Sequence, residues 1–160
     1  MSKDALTTYL NDHLAGAAAA LELLDHLISL ERGADRRQEL VTIRDEVEQD
    51  QQVLLRMLRA VGGKESRVRS ALAWLTEKIG QAKLRLDDPG GGEFRVFEAL
   101  EALALGIQGK AALWRALASS SAHLSELRTL DYGALERRAI AQFTRVDNLR
   151  LQVAPAALSS

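Results

Sequence analysis

The chain has 160 residues, with 21 Lys and Arg against 22 Asp and Glu, and no cysteine. That length fits one domain able to bury a core. The balanced charge gives no general attraction to nucleic acid or anionic lipid, and the lack of cysteine excludes disulfides, thiolate zinc sites and thiol nucleophiles. Aromatic residues make up 4% and there are two prolines, while Leu, Ala, Arg and Glu are abundant, a helix-forming composition. The opening Met1-Ser2-Lys3-Asp4 is not a basic segment before an apolar run, so no secretory signal is read. The longest apolar run, Ala17 to Leu21, is too short to span a bilayer. The expectation is a cytoplasmic protein without membrane insertion.

The first helix is expected over 3–31, with Leu6, Leu10, Leu14, Ala17, Leu21, Leu24 and Ile28 spaced by three and four. Gly33 stops it, and the run Gly16 to Ala20 leaves a slim waist where another helix can come close. Asp35, with Gln38 three residues on, is the expected cap of a second helix over 35–61, built on Leu40, Ile43, Val47, Leu54, Leu58 and Val61. So short a link makes the pair an antiparallel hairpin. A third, shorter helix over 66–83 carries Val68, Ala71, Leu72, Leu75, Ile79 and Ala82 on one stripe. Lys64 to Asp87 holds six basic and three acidic residues, whereas Lys3 to Arg32 holds two basic and five acidic, so the segment should pack beside the acidic hairpin. Asp87 to Gly92 reads as a mobile break. A fourth helix over 93–118 turns Phe97, Leu100, Ala104, Ile107, Ala111, Trp114 and Leu117 inward. After one loose turn over 123–129, Asp131 caps a fifth helix over 131–154 on Leu135, Ala139, Phe143, Val146, Leu149 and Val153; Pro155 ends it, before a frayed tail.

The organising stretch is Arg44 to Leu54, with four carboxylates (Asp45, Glu46, Glu48 and Asp50) on a helix that turns toward the core. Four long helices and one short one make a single bundle domain over 1–160. If the 64–92 segment crosses from one end to the other, the second and fourth helices run parallel; the extra helix favours that over an up-down-up-down order. Helix order and spacing over most of the chain resemble the ferritin-like proteins. The resemblance implies an all-α, ferritin-like four-helix bundle with an extra short helix in the long connection. In that family a Glu from each of two helices and a Glu-x-x-His from each of the other two hold two irons. Carried over, the resemblance implies Glu22, Glu46 and Glu101 (or Glu98) as metal ligands. The chain departs from the pattern at Gln49, which stands in the histidine position, and in the fifth helix, where Glu136 precedes Ala139 and Asp147 precedes Arg150 at that spacing. The expected bundle therefore lacks a standard di-iron site and has no assigned cofactor. Iron or manganese on Glu22, Glu46 and Glu101, with an oxidative or stress-related role, is the alternative; the bland reading of these acids is solvation or pairing with Arg.

Three polar residues fall in apolar seam phase: Asp50 between Val47 and Leu54, Lys110 between Ile107 and Trp114, and His13 between Leu10 and Ala17. A lone buried charge costs several kcal/mol, so Asp50 and Lys110 are expected to pair, with His13 near, in the space a metal centre would fill. The competing placement puts Lys110 at the rim with its ammonium in water. His13 and His26 are nearly four turns apart on one helix and cannot share a metal, and His123 lies in a loop. No nucleophile elbow, phosphate loop, dinucleotide fingerprint or zinc-protease motif is present, so no catalytic residue is assigned. Trp114 reads as a core anchor, and Trp74, off its stripe, as a mark of subunit contact. The expected partner is a second copy, as a dimer. A further reading places an apolar-ligand cavity at the Gly16 to Ala20 waist.

Overall fold

The structure, a computed structural model, describes residues 4–64 and 73–159, with side chains described from residue 77 in the third helix. Their regular structure is entirely helical, without strands: α1 Asp4–Leu30, α2 Ala34–Ala60, α3 Ala73–Leu86, α4 Gly92–Ser120 and α5 Tyr132–Leu158. The expected start of the third helix at Ser66, with Val68, Ala71 and Leu72, lies outside the described residues, as do the side chains of Trp74 and Leu75.

Helix directions follow from the partners each helix meets. Glu39 reaches Arg145 and Asp50 reaches Arg138, so α2 and α5 are antiparallel. Lys110 reaches Asp50, and α4 and α5 form a hairpin, so α2 and α4 run the same way. α1 contacts α2 and α4, α5 contacts α2 and α4, and neither α2 with α4 nor α1 with α5 touches through the backbone. The long helices thus form a ring in which every neighbour is antiparallel and α2 faces α4 across the diagonal. The chain between α2 and α4 returns from one end of the bundle to the other. α3 lies in the groove between α1 and α4, parallel to α1 through Lys83–Glu22 and His26–Asp87, and antiparallel to α4 through Lys78–Glu101 and Arg85–Glu98.

The core falls into two apolar clusters. One holds Leu23, Leu24 and Leu27 of α1 with Ile43, Leu103, Val146 and the α3 residues Ile79, Ala82 and Leu86. The other holds Leu10, Leu14, Leu54, Leu58, Trp114, Leu117 and Ala139. α1 buries Leu23 and Leu27 as well as Leu24 because α3 covers a second side of it. α4 buries Ala99, Leu100, Ala102, Leu103 and Ala104 in near succession. A helix apolar on nearly all sides is one with neighbours on nearly all sides, and α4 packs on α1, α3 and α5. α1 is long and apolar enough, by length and composition only, to cross a membrane, a test that the core helix of a soluble protein also passes. Its leucines at 10, 14, 23, 24 and 27 are buried against other helices.

Several boundaries differ from expectation. α2 is not capped by Asp35. It starts at Ala34 behind Gly33, which has no side-chain cap, while Glu31 Oε1 accepts from the Gly33 N–H at 2.7 Å. α3 continues to Leu86 rather than stopping at 83. The expected break is organised as a 3-10 turn, Pro89–Gly91, capped by Asp88, with Arg95 donating to the Leu86 and Asp88 carbonyls at 2.6 Å each. α5 passes through Pro155 to Leu158. The proline removes one ladder bond, from residue 155 to the carbonyl of Leu151, on a turn where Leu151 itself is half-exposed. Asp131 does cap α5, accepting from the Ala134 N–H at 2.9 Å.

Replacing Asp131 by Ala should lower stability by about 1 kcal/mol, as for a lost N-cap, whereas Asp35→Ala should cost no more than the few tenths of a helix-dipole contact. Urea unfolding midpoints of the two variants give the comparison.

Candidate functional site

The level between the two apolar clusters is polar. α2 places Asp50 there in phase with Val47 and Leu54, and the side chain is 1% exposed. Across the diagonal, α4 places Lys110, 11% exposed, with Nζ 2.6 Å from Asp50 Oδ2. The same ammonium donates to Gln142 Oε1 of α5, which is fully buried. Arg138 of α5 donates to Asp50 Oδ1, and its other terminal nitrogen reaches Gln49 Oε1 at 3.3 Å. Gln142 Nε2 donates to Glu46 Oε2 at 3.0 Å, Arg145 donates to that same oxygen, and Arg145 Nε lies 3.5 Å from Glu39. Three carboxylates (Glu39, Glu46, Asp50) thus meet three bases (Lys110, Arg138, Arg145) with Gln142 threaded between them. A buried carboxylate is tolerable only with its lone pairs occupied, and both oxygens of Asp50 are.

α1 and α4 make room for this layer with small residues. Gly16 and Ala17 face Gly106 and Gly109 around a cavity of about 40 Å³ that His13, Asp50 and Lys110 also line. That is space on the scale of one water molecule, smaller than an apolar ligand occupies. His13 packs edge-on to Tyr9, ring centroids 4.7 Å apart. Burial holds its imidazole down at about 4, so it is neutral above that. Burial also pushes the Lys110 ammonium below its usual value, with Asp50 opposing the shift.

Glu22, Glu46 and Glu101 do not converge. All three stand at the height of the first apolar cluster, but they face different ways. Glu22 takes Lys83 at 2.7 Å and is exposed; Glu101 takes Lys78 at 3.7 Å and Arg150 at 3.5 Å; Glu46 takes Gln142 and Arg145. α3, wedged between α1 and α4, supplies the lysines that draw Glu22 and Glu101 outward. Glu98 faces Arg85. Among the described residues no group of three His, Asp or Glu side chains is placed to hold a metal ion. His26 Nε2 lies 3.1 Å from Asp87 Oδ1, and His123 is exposed. Trp114 is fully buried in the second cluster.

Gln142, Arg138 and Arg145 were not singled out by sequence. Ala139 is followed in seam phase by both Gln142 and Phe143: Phe143 packs, partly buried, against the first cluster, and Gln142 is fully buried. The available signal was complementary spacing. Glu39, Glu46 and Asp50 are seven and four apart on α2, and Arg138, Gln142 and Arg145 are four and three apart on α5. No family model, curated protein or solved structure matches the chain.

Asp50→Leu should destabilise the protein by roughly 3–5 kcal/mol, since it strands buried bases. Adding Lys110→Met should restore at least about 1 kcal/mol of that loss, a coupling that a double-mutant cycle in urea would read. His13 yields a pH signature. Its folded value lies below its unfolded one, so the unfolded chain binds the extra proton and stability falls as pH drops from about 6.5 to about 4. His13→Gln should flatten that limb by on the order of 2 kcal/mol, allowing for partial exposure, measured as unfolding free energy against pH.

Proposed function

We propose that the chain is a ferritin-like helical bundle in which an ion-pair layer stands in place of the di-iron centre, and that it works by association rather than turnover. The observation that carries this is the Lys110 ammonium, shared by Asp50 and Gln142 on the bundle axis. It supplies, from the protein itself, the positive charge that metal ions bring to such a centre. Parallel α2 and α4 joined by a long crossing connection support the same relationship. No nucleophile stands beside a base in the layer; its acids and bases neutralise one another.

The first partner is a second copy. On α5, Ile140, Leu151 and Leu158 are 51%, 53% and 64% exposed. They are 11 and 7 residues apart, close to three and two whole turns, so they form one outward stripe opposite the buried Leu149 and Val153. A two-fold axis near residue 149 would pair two such stripes antiparallel, setting residue 140 of one copy beside residue 158 of the other, in a self-complementary contact. Light scattering after size exclusion should give twice the chain mass, and Ile140→Glu with Leu151→Glu should give a folded monomer. A concentration-independent monomer for the unaltered chain defeats the association. Stoichiometric iron or manganese that disappears in Glu46→Ala defeats the replacement of the metal centre.

A further inference from the structure

All four long helices open a second cavity at the end of the bundle where α1 and α5 finish and α2 and α4 begin. Its volume is about 450 Å³, within the range of roughly 300–1,000 Å³ typical of small-molecule sites. The floor is Leu27, Leu40, Leu100, Leu149 and Val153, one or more from each helix, and all five side chains are buried. The mouth is charged: Arg32, Arg36 and Arg95 stand there with Glu31 and Glu93. Glu31 is engaged by Arg36 at 3.1 Å, and Arg95 spends two hydrogen bonds on main-chain carbonyls. Arg32 is exposed and has no partner among the described residues. α2 and α4 also begin at this mouth behind Gly33 and Gly91, neither with a side-chain cap, which adds positive potential on two sides.

We infer that this end cavity binds a small single-chain amphipathic anion, an acyl carboxylate of medium length, with the chain on the leucine floor and the carboxylate at Arg32. The apolar depth selects an alkyl chain, because burying its methylenes is favourable by area alone. The excess of cation at the rim selects an anionic head over a neutral or cationic one. The packed side chains of Ile43, Leu103 and Val146 beneath the floor, and the Asp50, Lys110 and Gln142 layer below them, block deeper entry. The site uses the inward face of α5, so it is independent of association through the outward stripe.

The test is titration of the full chain with decanoate, below its micelle-forming concentration, followed by amide chemical shifts and by calorimetry. Decanol and decyltrimethylammonium serve as head-group controls. The expected result is one decanoate per chain, with shifts at residues 27–40, 92–100 and 149–153, and weaker binding of both controls. Arg32→Glu, an exposed change that leaves the floor intact, should weaken decanoate by about fivefold to tenfold, on the scale of reversing one rim charge. Val153→Phe should abolish binding by filling the floor; Leu30→Trp, nearer the mouth, gives the same block if the first variant does not fold. Absence of decanoate binding overturns the inference. So do shifts confined to other residues, equal binding of decanol, or undiminished binding in a folded blocking variant.

Discussion

One carboxylate constrains the bundle more than any other group. Asp50 is almost completely withdrawn from water, and a buried anion left unpaired would cost several kcal/mol, a large share of the roughly 5–15 kcal/mol that separate folded from unfolded chains. Its partners therefore have to arrive from elsewhere in the fold: Lys110 from the diagonal helix, Arg138 and Gln142 from α5. The two apolar clusters place no such demand. Leucines, valines and alanines pack acceptably in several registers. A one-turn slip of α5 along α2 moves its side chains about 5.4 Å, which the clusters could absorb and the Asp50 contacts could not. The ion layer supplies the register that the apolar stripes leave loose.

The spacing of the helices follows from the same layer. α4 and α5 share the most extensive interface, lined by residues such as Ala99, Ala102 and Ala139 that permit close approach. α2 and α5 stand further apart, bridged by the long side chains of Arg138, Gln142 and Arg145 reaching Glu39, Glu46 and Asp50. Gly16 and Ala17 of α1 and Gly106 and Gly109 of α4 line the small cavity beside the lysine. α3 answers a different need. Seated between α1 and α4, it buries Ile79, Ala82 and Leu86 and brings Lys78 and Lys83 to Glu101 and Glu22.

Much of this was readable in the sequence because helices have a fixed period. The apolar stripes locate the helices, and the lapse of each stripe at residues 13, 50 and 110 locates the polar layer at one height. Height along an axis is what periodicity measures well. Azimuth is not. Glu22, Glu46 and Glu101 share a height, as expected, yet point to different grooves, because facing depends on which helix fills each gap. The wedge position of α3 could not be read from its own stripe. Gln142 was obscured by Phe143 next to it, since steps of three and four both continue a seam and the larger apolar side chain takes precedence on hydropathy alone. The α2 cap was misread at Asp35: the cap position is Gly33, which has no side chain, and the Glu31 carboxylate accepts from the Gly33 N–H instead.

The arrangement also explains why the ends of this bundle differ from its middle. Adjacent helices are antiparallel throughout, so the crossing connection sets the starts of α2 and α4 diagonally opposite each other at one end. The axis is closed halfway down by charge pairs, which exclude apolar chains by their polarity and leave room for no more than about one water. Beyond that plug, toward the α2 and α4 starts, the first apolar cluster fills the interior, with Phe97 and Phe143 packed against it. The central acids and bases are paired with one another. The two surfaces proposed for other molecules are the end cavity, with leucines beneath arginines, and the outward stripe of α5. These lie on opposite faces of one helix, so occupancy of one does not sterically require the other to be vacant.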